Sequence, residues 1–120
     1  MVDTRLSIRL DLPSGARLGP GKVALLEAIR QTGSISAAAR SLGMSYRRAW
    51  LLVEQVNSAL RDPAVTAEAG GESGGGTVLT PVGERIIGLY REIESLAGSA
   101  ASEEFRAIAK LARRKQKIRA

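Results

Sequence analysis

AGGESGGGT, residues 69–77, holds five of the chain's thirteen glycines and no hydrophobic side chain larger than alanine's. It can be read as a phosphate cradle, a flexible linker or the tip of a β-hairpin, and its flanks discriminate among the three. Before it stands AVTAEA, where Val65, Ala67 and Ala69 alternate with Thr66 and Glu68; after it stands TVLT, rich in β-branched residues and halted by Pro81. A phosphate loop needs a helix directly after it, whose free N–H groups hold the anion. The nearest match to that motif, Gly70 to Thr77, also places glycine where the lysine must be. A linker of this composition would be flexible and would leave both strand candidates unpaired. A hairpin satisfies both flanks, because glycines tolerate the positive φ of turns.

Upstream, the pattern is helical. Ser45 is a candidate N-cap for YRRAWLLVEQVNSAL, which runs until Asp62-Pro63 forbids continuation. Gly43 ends a shorter segment, ISAAARSL, for which Ser34 is the candidate cap. A first helix starts at Pro20, whose missing N–H costs nothing there. It carries Val23, Leu26 and Ile29 on helical spacing, widened by Leu25 and Ala28, and stops at Gly33. Three helices with short glycine-containing breaks predict a helix-turn-helix behind a support helix. At the N-terminus RLSIRLDL, residues 5–12, alternates as a half-buried strand does, and PSGARLGPG breaks the chain after it.

Downstream of Pro81, VGERIIGLYREIESLAG predicts a long helix. Its stripe of Val82, Ile86, Leu89, Ile93 and Leu96 steps by four and three residues, spacing that packs on the body or on a second copy. GSAAS is expected to interrupt it, with Ser102 capping a last helix whose acids precede its bases, the favourable dipole order.

Composition excludes several classes. Without Cys there is no disulfide scaffold and no thiolate chemistry; without His the commonest general base and metal ligand are missing. No apolar run reaches membrane-spanning length, and the N-terminus lacks a signal-peptide block, so a cytoplasmic protein without membrane association is expected. Net charge is +6, yet residues 105–120 carry seven Lys and Arg and no acid, so the remainder is close to neutral. The basicity is a tail, suited to nucleic acid or an acidic partner and equally to a solvated helix end.

The expected fold is mainly α: a winged helix-turn-helix with an N-terminal strand, a two-stranded wing and long C-terminal helices. Residues 1–80 would form the DNA-binding domain, and 81–120 a helical dimerisation segment with a basic tail. Beyond this pattern, GSISAAARSLGMSYRRAWLLVEQVN followed by GGESGGGTVLTPVGERIIGLY resembles the N-terminal DNA-binding domain of ModE-type, molybdate-responsive transcription regulators, and more distantly the LysR-type helix-turn-helix. The resemblance spans roughly residues 20–95. It implies that Ala38 and Ala39 lie where two helices cross, that Gly43 makes the turn, and that Ile35, Leu42, Ala49 and Val53 are core. Ser45, Tyr46, Arg47 and Arg48 then begin the recognition helix, the end that meets base edges in this motif. Arg47 and Arg48 suit guanine or phosphate, and Ser34 and Ser36 suit backbone phosphates, with capping as Ser34's other role. Tyr46 and Trp50, four apart, either join the DNA face or pack inward.

Two departures from the resemblance stand out. Related wings often carry a base among the glycines; this one has Glu68 and Glu72, leaving backbone N–H groups or Ser73 for phosphate. Full-length ModE-like regulators also continue into a domain that binds the oxyanion, whereas this sequence stops at residue 120. The expected function is a stand-alone DNA-binding regulator, homodimeric through Val82, Ile86, Leu89, Ile93 and Leu96. It would bind two-fold related duplex DNA, without cofactor or enzymatic activity, and no effector is named by the residues. A winged-helix protein–protein adaptor is the alternative, favoured by the near-neutral body and acidic wing.

Overall fold

The computed structural model describes residues 4–68 and 76–114. Along the chain run β1 (Leu10–Asp11), β2 (Arg17–Leu18), α1 (Pro20–Thr32), α2 (Ile35–Ser41), α3 (Tyr46–Ala59), β3 (Val65–Ala67), β4 (Thr77–Leu79), α4 (Pro81–Ala100) and α5 (Ser102–Leu111). β1 pairs antiparallel with β2, and β3 with β4. The glycine-rich run thus joins two paired strands, as its flanks predict.

The local signals act where the sequence places them. Pro20 opens α1, Ser34 Oγ accepts the Ala37 N–H at 3.0 Å, and Ser45 Oγ accepts the Arg48 N–H at 3.1 Å. Gly33 and Gly43 take left-handed φ values of 81° and 69° that a side chain would resist. One aliphatic core follows. Val23, Leu25, Leu26 and Ile29 of α1 meet Ala38 and Ala39 of α2 and Ala49, Val53 and Val56 of α3, with Ile87 and Tyr90 of α4 closing it. The alanines let the helices approach closely, and the long aliphatics fill the space around them.

Three expectations need correction. The N-terminal strand, expected over residues 5–12, shrinks to Leu10–Asp11. Its partner β2 is cut short by the helix that starts at Pro20, so only two register pairs form, Leu10 with Leu18 and Asp11 with Arg17. The alternation itself is real: Ile8, Leu10 and Leu12 are half-buried between exposed Arg9 and Asp11. Leu42 is 39% exposed instead of core, because as the C-cap of α2 it points outward while Met44 packs inward. The interruption at GSAAS narrows to Ala101: α4 continues through Gly98 to Ala100, and Ser102 is the first residue of α5 without a capping bond.

The wing is held at both open edges. Glu68 donates to Gly76 and Thr80 to Ala64, which leaves the intervening Val65–Leu79 pair with its polar groups facing away from the partner strand. Asn57 of α3 takes those of Val65: its Nδ2 donates to the Val65 carbonyl at 3.0 Å, and its Oδ1 accepts from Val65 and Ala64 N–H at 3.2 and 2.8 Å. On the other edge the Thr77 N–H donates to the Gly33 carbonyl at 2.9 Å. The base of the wing is therefore bonded to α3 and to the α1–α2 turn.

α4 is seated on α1 by Arg91, whose Nε and Nη2 reach the two oxygens of Glu27 at 3.0 and 2.5 Å, while Nη1 reaches Glu94 at 2.7 Å. Tyr90 donates its hydroxyl to the Ile8 carbonyl at 2.6 Å, tying the N-terminal segment to the same helix. No residue of α5 is buried. The radius of gyration is 17.5 Å, against about 13–14 Å for a compact chain of this length, so the C-terminal helices extend away from the core.

Candidate nucleic-acid interface

α3 has an inner and an outer face. Ala49, Val53 and Val56, on helical spacing, are buried; Tyr46, Arg47, Arg48, Trp50 and Leu51 are exposed around them. Core packing of the inner residues fixes the rotation of the helix and hence what it presents outward. Trp50 is 44% exposed and Tyr46 55%. Neither is a core residue, and each has about half of its surface packed and half open.

The N-terminal turn of α3 is electropositive in two ways. Its first backbone N–H groups lack intrahelical acceptors, and the Ser45 cap engages that of Arg48. Arg47 and Arg48 add two guanidinium groups, and neither forms an ion pair with a described residue. Some arginines are paired, Arg30 with Glu84 at 2.8 Å, Arg91 with Glu27 and Glu94, Arg9 with Asp11 at 3.2 Å, whereas Arg40, Arg61 and Arg85, like Arg47 and Arg48, form no ion pair with a described residue. The cations left without carboxylates at α3 are free to meet an anion.

Beside this turn lies a cleft of about 220 Å³ lined by Ser34, Ile35, Ser36, Tyr46, Gly76 and Thr77. It brings the start of α2, the start of α3 and the base of the wing to one surface, with hydroxyls from Ser34, Ser36, Tyr46 and Thr77. The wing approaches so closely here that a Cβ on Gly76 would sit 2.5 Å from the Gly33 carbonyl. Of the expected site residues, Ser34, Ser36 and Tyr46 share the cleft, while Ser45, Arg47, Arg48 and Trp50 lie along the exposed start of α3. Ser73 and Glu72 lie outside the described residues, as do Lys115, Lys117 and Arg119 of the basic tail.

Sequence reasoning missed Asn57, Thr77 and Leu51. Asn57 left a signal: asparagine inside a helix competes for backbone bonds, which marks it as a residue with another partner. Thr77's tie to Gly33 and the exposure of Leu51 (43%) are tertiary and left none. Among the described residues, no three His, Cys, Asp or Glu side chains converge as a metal would require, and no helix is long and apolar enough to cross a membrane.

Comparison with known proteins agrees with this geometry. MopB of Rhodobacter capsulatus, a molybdenum-pterin-binding protein, is 56% identical over 82 residues, covering 68% of this chain and 30% of MopB. The molybdenum transport protein ModE of Azotobacter vinelandii is 41% identical over 96 residues, covering 78% of this chain and 36% of that protein. The DNA-binding transcriptional dual regulator ModE of Escherichia coli K12 is 41% identical over 71 residues, 59% of this chain and 27% of that one. The chain thus spans about a third of the length of these relatives. Among solved structures, the CbnR DBD–DNA complex superposes with a TM-score of 0.55 over 74% of this chain and 95% of that one at 24% identity, a likeness of fold. Residues 21–84, from α1 into the start of α4, match the bacterial regulatory helix-turn-helix proteins of the lysR family. The chain belongs to that family.

Proposed function

We propose that this chain is the DNA-binding part of a transcription regulator, acting as a homodimer on two-fold related sites in duplex DNA. The observation that carries the reading is the exposed start of α3. Arg47 and Arg48 stand there without carboxylate partners, beside Tyr46 and Trp50, on a helix locked by Ala49 and Val53. In a helix-turn-helix this end enters the major groove, with arginine placed for guanine O6 and N7. Ser34 and Ser36 at the adjoining cleft suit flanking phosphates, and backbone N–H groups of the wing suit a further one. The names of the E. coli relative and of the CbnR complex both speak of DNA, which supports the assignment.

The dimer is proposed from α4 and α5. Leu89, Ile93 and Leu96 are 49%, 38% and 60% exposed, and Ile108 of α5 is 58% exposed. Ile86, at the root of the stripe, packs against the core of its own protomer, and Val82 is half-buried. The open part of the face is thus Leu89 onward, on helices that extend away from the body. A second copy covering this face would set two α3 helices at a fixed separation, which a two-fold site would match.

Selection of bound sequences from a pool of random duplex DNA tests the proposal. A two-fold related consensus is expected. Failure to enrich any sequence, with no salt-dependent binding to duplex DNA, would favour the adaptor reading.

A further inference from the structure

The outer face of α3 carries more than charge. Tyr46 and Trp50 form one column four residues apart, and Arg47 and Leu51 form the neighbouring column. Three of these four are large apolar side chains, 55%, 44% and 43% exposed, within six residues of a helix whose inner face is already satisfied by Ala49, Val53 and Val56. The described residues leave about half of each side chain open. Their setting is cationic: Arg47 and Arg48 flank them without ion-pair partners, the positive end of the helix lies beneath, and the first acid along α3 is Glu54. An apolar surface framed by unpaired cations is complementary to a polyanion that displays apolar groups. Duplex DNA does so at one place, the C5 methyl of thymine in the major groove.

We propose that Trp50, supported by Tyr46 and Leu51, reads thymine methyl groups, so that each half-site carries A·T pairs next to the position contacted by Arg47. This inference rests on the DNA-binding reading and deepens it. Arg47 supplies the hydrogen-bonding part of recognition, and the apolar shoulder supplies a part that hydrogen bonds cannot. The columns separate the two roles: Arg47 is one residue from Tyr46 and three from Trp50, so guanine and thymine positions fall within one short stretch of a half-site.

The test uses the duplex enriched from random DNA, with each thymine replaced in turn by uracil, which lacks only the methyl group. Wild-type protein is expected to lose roughly fourfold in affinity at one or two thymines per half-site, the effect of one methyl removed from an apolar contact, and to be indifferent at the others. Trp50→Ala is expected to bind thymine and uracil duplexes equally at the position it reads, with an unchanged far-ultraviolet circular dichroism spectrum. Tyr46→Ala provides a second variant, expected to reduce the discrimination in part. Indifference of the wild type to uracil at every position overturns the inference while leaving DNA binding intact, and needs no variant to fold. Equal discrimination by wild type and folded Trp50→Ala overturns it as well. Absence of any enriched duplex overturns both this inference and the function on which it rests.

Discussion

Asn57 sits near the end of α3 and uses its amide as a substitute strand, meeting both polar groups of Val65 and the N–H of Ala64. Ala64 and Val65 are buried, so removing the amide strands two N–H groups where water does not reach. Asn57→Leu is expected to destabilise the fold by about 1–3 kcal/mol, measured by urea unfolding; an unchanged midpoint would show that the wing is held by strand pairing alone. Gly83 in the first turn of α4 is equally constrained. A Cβ there would collide with the Ala64 carbonyl, a backbone atom that cannot swing aside. Gly83→Ala should therefore cost about 1–3 kcal/mol although alanine is the better helix former. A stabilised variant in thermal unfolding would contradict this contact. Such residues mark the limit of what the sequence tells. Ser34 and Ser45 are legible because a cap bonds within its own helix. Gly76 and Gly83 are not, because their need for a missing side chain comes from carbonyls far away in the chain.

At the scale of elements, the helices were legible from their period, and the wing from two β-branched segments around a glycine run. The N-terminal strand was legible as an alternation but not in length, since a strand extends only as far as its partner, and β2 was hidden in a segment that reads as a break. Which face of α4 turns inward was also only partly readable. Its apolar positions cover more than one face: Ile87 and Tyr90 enter the core, whereas Leu89, Ile93 and Leu96 stay outside. Replacing Leu89 and Ile93 with Glu should accordingly give a folded monomer in sedimentation, where the wild type sediments as a dimer at micromolar concentration. A wild-type monomer under those conditions would refute the interface. The inner side of α4 offers a separate test. The hydrogen bonds from Arg91 hold the Glu27 carboxyl below its ordinary value of 4.5. The folded state therefore binds fewer protons here than the unfolded chain. The resulting stability is fully present above about pH 5 and is lost as pH falls through the folded value. Glu27→Gln should be less stable than wild type at pH 7, with the difference shrinking below pH 4 in urea unfolding. A difference independent of pH would assign no electrostatic role to the pair.

The whole molecule distributes its charge unevenly. The seven Lys and Arg of the C-terminal sixteen residues account for all of the net +6, and the body is close to neutral. Arg30 and Arg91 are matched with glutamates, whereas Arg47 and Arg48 at the start of α3, like Arg40, Arg61 and Arg85, form no ion pair with a described residue. Bulk charge therefore says little about function, and the placement of two unpaired arginines on a rotationally locked helix says much more. α3 is held by its buried inner face, and in the proposed function its outer face reads base edges. The direct measurement is the affinity of wild type and Arg47→Ala for the enriched duplex and for random duplex at one salt concentration. A base-reading Arg47 predicts a loss of roughly 1–3 kcal/mol on the enriched duplex, with relaxed preference at one base position, and a much smaller loss on random DNA. Equal losses on both would reduce Arg47 to a phosphate contact, and no loss on either would contradict the assignment of α3 as the recognition helix.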